Sequence, residues 1–220
     1  MADALSRRKP NRRPTGNPVL DSLVSELVQA DAALAEPVVD RRVLHRGRYM
    51  SFETVDVMRE SGPATRDVVV HPGAVVMLAL EPAGELLLVI QHRVPAGGAL
   101  LELPAGTLDI HDGVVEAELA AAHRELEEET GYRAGSMERL GGFWSAPGFS
   151  TEYMTLFLAT DLRPAGVGKL GPDDDEDLRL CRLHWRDALA AVEAGLIEDA
   201  KSVAGILWLA RRLEREGPRG

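Results

Sequence analysis

Residues 123–132 read His123-Arg124-Glu125-Leu126-Glu127-Glu128-Glu129-Thr130-Gly131-Tyr132, and more of the chain's chemistry is concentrated here than anywhere else. Residues 114–130 hold few turn formers and many Glu, Ala and Leu, and Gly131 follows as a C-cap, so the stretch is expected to be a helix. At 3.6 residues per turn Glu125, Glu128 and Glu129 stand at i, i+3 and i+4 on one arc, with Glu118 on the same arc two turns earlier. Leu119, Ala122, Leu126 and Thr130 form a second stripe about a right angle away, which is expected to dock the helix on a sheet. The acids are thus held beside the core rather than opposite it. Between Glu116 and Glu129 six glutamates face a single base, Arg124. Like charges at i,i+4 cost an isolated helix ~0.2–0.5 kcal/mol per pair, and hard cations relieve such a face because Mg²⁺ takes oxygen ligands. On spacing alone a metal site and a solvated acidic face are about equally good readings.

The residues match something more specific. Arg124 to Tyr132 reproduces each fixed position of R-E-U-x-E-E-x-G-U, where U is apolar or aromatic, and Glu116 stands eight residues before Arg124. This resembles the Nudix box, and the chain is identified on it as similar to the Nudix hydrolases. One departure exists: the pattern's glycine, six residues before Glu116, is Ile110 here, and Gly106 is the equivalent, reached through a longer loop. Leu101-Glu102-Leu103-Pro104-Ala105-Gly106 looks like the L-E-x-P-A-G entry to the box in ADP-ribose pyrophosphatases. The resemblance implies that Glu125, Glu128, Glu129 and the Ala105 carbonyl hold two or three Mg²⁺ or Mn²⁺ ions. It also implies an outer supporting role for Glu116 and an orienting role for Arg124, with Glu125, Glu129 and Arg124 in the catalytic set.

Outside the box the same subfamily is echoed three times. Pro147-Gly148, fifteen residues beyond Tyr132, matches a proline of that subfamily, though a Pro-Gly turn has ordinary uses. Gln91-His92-Arg93 is similar to its Q-Y-R segment, so Arg93, with Pro147 and Gly148, is implied in substrate binding. The ordinary alternative for Arg93 is an ion pair at a strand end. The acidic run Asp173 to Asp177 has one glutamate, Glu176, implied as the helper of the attacking water. His123 is expected to face solvent or pack beside the helix, and Cys181 to be inert.

The 220 residues carry 35 acids and 25 bases, a formal −10 that disfavours nucleic acid as a partner and suits a divalent cation. No apolar run approaches the ~18 residues of a membrane span, and the start lacks a secretory pattern. One cysteine, Cys181, rules out an internal disulfide and agrees with the reducing cytoplasm. Residues 1–18, with five bases against Asp3, are expected to be a disordered tail. Residues 19–64 are expected to hold an amphipathic helix (19–35) and strands, 65–215 the catalytic domain, and 216–220 a tail. Strands are read at 67–71, 74–80, 85–91, 100–103, 137–144, 153–160 and 178–183. Loops are read at 104–113 and 162–177, and helices at 186–194 and 199–215.

The fold class is therefore α/β: a Nudix α/β/α sandwich on a mixed sheet, plus an N-terminal antiparallel sheet that the resembling subfamily exchanges in a homodimer. The implied reaction is hydrolysis of the ADP-ribose pyrophosphate to AMP and ribose 5-phosphate. The alternatives are another nucleoside diphosphate substrate (a dinucleoside polyphosphate, a nucleotide sugar or NADH) and a non-catalytic Nudix-fold sensor of ADP-ribose.

Overall fold

The computed structural model describes residues 8–166 and 177–216. They form two compact units: Met1–His71 with Ala146–Thr151, and Pro72–Ser145 with Glu152–Gly220.

In the first unit α1 (Pro18–Ala33) starts where the Asn17 side chain accepts hydrogen bonds from the Val19 and Leu20 N–H groups, with Pro18 at the first helical position. The expected amphipathic helix is present, but it has no buried residue, so Leu20, Leu23 and Leu27 stay exposed. Strands β1 (Val38–Arg46), β2 (Ser51–Arg59) and β3 (Gly62–Val70) form an antiparallel meander in the order β1-β2-β3. Val55 and Val57 of β2 are buried, while β1 is exposed along almost its whole length. The segment 146–151 returns to this unit: the Val69 N–H donates to Phe149 O (2.7 Å), and the Thr151 N–H donates to Val69 O (3.0 Å).

The second unit is built on the order β10-β11-β4-β5-β12, with β10 (Tyr132–Trp144), β11 (Tyr153–Pro164), β4 (Ala74–Leu80), β5 (Glu85–Arg93) and β12 (Leu178–His184). β4 runs parallel to β11 and the other pairs are antiparallel, so the sheet is mixed as expected. β6 (Gly98–Glu102) pairs with β5, and β7 (Ala105–Thr107) pairs with β4. The unbroken apolar sequence of β4 follows from burial on both faces. Val75, Met77 and Ala79 pack with Leu87, Phe157 and α2 (Glu118–Thr130) through Ala121, Ala122 and Leu126. Val76 and Leu78 pack on the opposite face with Leu103, Leu156, α3 (Trp185–Glu193) and α4 (Ala200–Glu216) through Ala188, Ile206 and Leu209. This is the helix–sheet–helix layering the sequence led us to expect.

Three local expectations need correction. Helix α2 begins at Glu118 rather than 114, because Val114–Val115 (β9) folds back on Ile110–His111 (β8) as a two-stranded hairpin. Its turn residues Asp112 and Gly113 both have positive φ (51° and 79°), the backbone that a tight hairpin demands and that Asp-Gly supplies. Strand β11 continues to Pro164, paired across to Tyr132, where a loop was read. Leu119 is exposed and Ala121 is buried, so the docking face is rotated round the helix from the expected stripe.

Candidate active site

The site grows from α2 lying over β7. Arg124 is its hub: its Nη1 donates to Glu125 Oε1 and Glu128 Oε2, both at 2.8 Å. Its Nη2 donates to Glu116 Oε2 (2.8 Å), and its Nε to Glu116 Oε1 (3.2 Å). Burial pulls the Arg124 pKa down, but the hydrogen bonds to Glu116 and Glu128 and the charge of Glu125 outweigh it and hold it far above its ordinary value. Burial likewise pushes Glu116 up, yet Arg124 and the Asp109 N–H leave its pKa below the ordinary one.

Glu116 reaches this hub in spite of the lengthened loop. The added residues form the β8–β9 hairpin, which is closed at its base by the Glu116 N–H donating to Asp109 O (2.8 Å) and the Asp109 N–H donating to Glu116 Oε2 (3.3 Å). An insertion that closes on itself returns the chain to nearly the point where it left.

Glu129 accepts from the Ala105 N–H at 2.9 Å, so β7 and α2 are pinned together. Next to it, a Cβ on Gly106 would stand 1.8 Å from Glu125 Cδ. The Glu125 carboxylate lies against bare backbone, and any side chain at 106 would displace it. Glu125 and Glu129 are both buried on the side that the helical arc predicts. Glu118 lies on that arc but is bound to Arg139 (3.3 Å), away from the Arg124 hub.

Arg93 forms a fork-on-fork pair with Glu102, Nε to Oε1 at 2.8 Å and Nη2 to Oε2 at 2.7 Å. The strand-end ion pair is thus real, but it is rooted in the interior, since Glu102 is 1% exposed. Pro147 and Gly148 belong to the N-terminal unit. Glu176 lies outside the described residues. His123 is exposed.

Residues 70–204 match the NUDIX domain. The chain belongs to the Nudix family. This Nudix chain is 35% identical over 178 residues to ADP-ribose pyrophosphatase of Bacillus subtilis (strain 168), covering 80% of this chain and 94% of that one. It is 33% identical over 175 residues to methanol dehydrogenase activator of Bacillus methanolicus, covering 79% and 92%. Its fold is that of a solved ADP compounds hydrolase, with a TM-score of 0.70 at 22% identity over 83% of this chain and 96% of the other.

Nudix hydrolases use divalent metal ions, and the residues of this Nudix site fit such ions. Four carboxylates, from Glu116, Glu125, Glu128 and Glu129, are all oxygen donors of the kind Mg²⁺ takes, and Arg124 is the cation that stands among them. Arg124 bonds to Glu116, Glu125 and Glu128, and Glu129 accepts from the Ala105 N–H, so the same carboxylates that would hold ions are held here by these donors.

Two features escaped sequence reading. Asp112-Gly113 between Ile110-His111 and Val114-Val115 is a hairpin signal that a loop reading passed over. Lys201, the buried partner of Glu102 and Asp199, had no signal: a lysine one residue into a helix reads as solvent-facing.

Proposed function

We infer that this protein hydrolyses the pyrophosphate bond of ADP-ribose, giving AMP and ribose 5-phosphate, with Mg²⁺ or Mn²⁺ as cofactor. The observation that carries the reading is the Arg124-centred carboxylate hub on α2 over the Ala105-Gly106 backbone, in a Nudix chain alike over most of its length to an ADP-ribose pyrophosphatase. In this reading Glu125, Glu128, Glu129 and the Ala105 carbonyl hold two or three ions. When bound, such ions polarise the diphosphate and lower the pKa of a water.

The protein's own side chains do the remaining work. Arg124 sets the rotamers of Glu125 and Glu128 by charge-assisted hydrogen bonds and is itself held by Glu116. The Ala105 N–H fixes Glu129. Arg93 offers its guanidinium to the substrate's phosphates or terminal ribose, Pro147 and Gly148 border the substrate, and Glu176 assists the attacking water. The reaction takes place in the cytoplasm, for which the single cysteine speaks.

We propose further that two copies associate through their N-terminal units. Supporting this, Leu20, Leu23, Val28, Val39, Leu44 and Met58 of α1, β1 and β2 are all large apolar side chains left exposed.

A hydrolysis panel of ADP-ribose, NADH, diadenosine polyphosphates and GDP-mannose, run with and without Mg²⁺, tests the assignment. ADP-ribose is expected to rank first and to yield AMP only with metal. Glu129→Gln is expected to lose at least ~100-fold in turnover with an unchanged melt. Tight ADP-ribose binding without cleavage under any divalent ion would replace the enzyme by a sensor.

A further inference from the structure

The Arg93–Glu102 pair continues inward to two more charged residues that the hydrolase reading does not use. Lys201, in the first turn of α4, is 7% exposed; its Nζ donates to Glu102 Oε2 and, at 2.8 Å, to Asp199 Oδ1. The Ser202 N–H also donates to Asp199 Oδ1 (3.2 Å), and the Leu103 N–H donates to Ser202 Oγ (2.7 Å), which ties the end of β6 to α4. Among the described residues Asp199 Oδ2 is buried without a hydrogen-bond partner. The four side chains carry two positive and two negative charges, so the network is neutral, but its desolvation is costly. Apolar residues of similar volume commonly stabilise a core as well or better. Stability alone is therefore a weak reason for keeping such a quartet.

The outer end of the network is Arg93. Both oxygens of Glu102 are occupied by the fork of Arg93, and Glu102 is deeply buried while the Arg93 side chain is 39% exposed. The Nη1 of Arg93 makes no hydrogen bond among the described residues. Arg93 also feels the charge of Glu129, which the Ala105 N–H holds three residues beyond Glu102. A guanidinium anchored from beneath, with one nitrogen unspent, stands beside the acidic site.

We propose that Lys201, backed by Asp199, is a positioning residue: it locks the buried Glu102 carboxylate, and through it orients Arg93 so that Nη1 meets the anionic diphosphate of the substrate. This rests on the ADP-ribose reading above. Arg93 touches the substrate; Lys201 acts only through Glu102.

A double-mutant cycle tests it in the full-length protein with Arg93→Gln, Lys201→Met and the pair together. ADP-ribose affinity is measured by calorimetry in chelator, and KM and kcat separately with Mg²⁺. Each single change is expected to weaken binding and raise KM about tenfold with kcat within about threefold, and the double to be no worse than the worse single. Lys201→Arg is expected to recover part of the loss. Additive losses, or Lys201→Met with wild-type KM, would overturn the proposal, and so would Arg93→Gln with wild-type affinity. Should Lys201→Met not fold, the isosteric Glu102→Gln takes its place in the cycle with the same expected non-additivity. Coupled binding losses in a protein that cleaves nothing would sink the reaction and keep the positioning. Cleavage with additive losses would do the reverse.

Discussion

Gly106 has no side chain, and for that reason it constrains the site more tightly than most residues that have one. A Cβ there would overlap the Glu125 carboxylate, so Gly106→Ala shifts that carboxylate from its place on the backbone beside Arg124. Misplacing a reacting group by about 1 Å costs on the order of 100-fold in rate, and Gly106→Ala is expected to lose at least ~100-fold in kcat while still folding; steady-state kinetics with a thermal melt checks both. Glu102 offers a pH test. Burial pushes its carboxyl up, but the hydrogen bonds of Arg93 and the charge of Lys201 overcome that and leave its pKa below the ordinary 4.5. A depressed folded-state pKa means that the pair's contribution is complete above pH 4.5 and disappears as pH falls through the lowered value. Denaturant melts below pH 4.5 are therefore expected to show wild-type stability falling with acid and Glu102→Gln falling less steeply. Equal slopes would mean that Glu102 is not ionised in the fold.

Among the elements, α2 carries two faces with separate purposes. Ala121, Ala122 and Leu126 bury against β4 and β11, and Leu126→Ala is expected to cost about 2–5 kcal/mol because the cavity adds to the lost transfer energy. The glutamates sit on the neighbouring arc, so that same substitution is expected to lower the melt first and turnover only as the helix loosens. The β8–β9 hairpin should behave oppositely. Gly113 has φ 79°, and Gly113→Val places a branched residue in a backbone that costs L-residues about 1–2 kcal/mol. Ile110, His111 and Val114 are exposed, so little core is at stake. The expected result is a severalfold fall in kcat, as Glu116 loses its clamp, with a melt nearly that of wild type; a melt as low as that of Leu126→Ala would make the hairpin part of the core instead. These two elements also separate what was legible from what was not. The period of α2 stood in the sequence because a helix face repeats every 3.6 residues. The hairpin was hidden because its strands are two residues each, too short for alternation to be seen, and only Asp112-Gly113 announced it.

Across the whole molecule the surplus of acids becomes a matter of binding. Cations that bind the folded site and not the unfolded chain stabilise by mass action, about 2.7 kcal/mol at a hundredfold excess over Kd. Saturating Mg²⁺ is expected to raise the melting temperature by roughly 5–10 °C over chelator, and Glu125→Gln with Glu129→Gln to abolish the rise. The exposed apolar residues of the N-terminal unit belong to this scale too. Sedimentation of the full chain is expected to give twice the 23.9 kDa monomer mass, and a monomer at micromolar concentration would remove the proposed association.

By itself the sequence determined whatever depends on spacing along one element: the carboxylate arc, its Arg124 counter-charge and the apolar strand at 74–80. Tertiary structure decided whatever depends on two distant segments meeting. Glu125 lies on Gly106 and Glu129 on Ala105 because α2 packs over β7, while Glu102 and Lys201, ninety-nine positions apart, share a buried bond. Periodicity is a property of a single element and can be read from residues in order. Burial of a charge depends on which other chain segments close over it, and no local pattern records that.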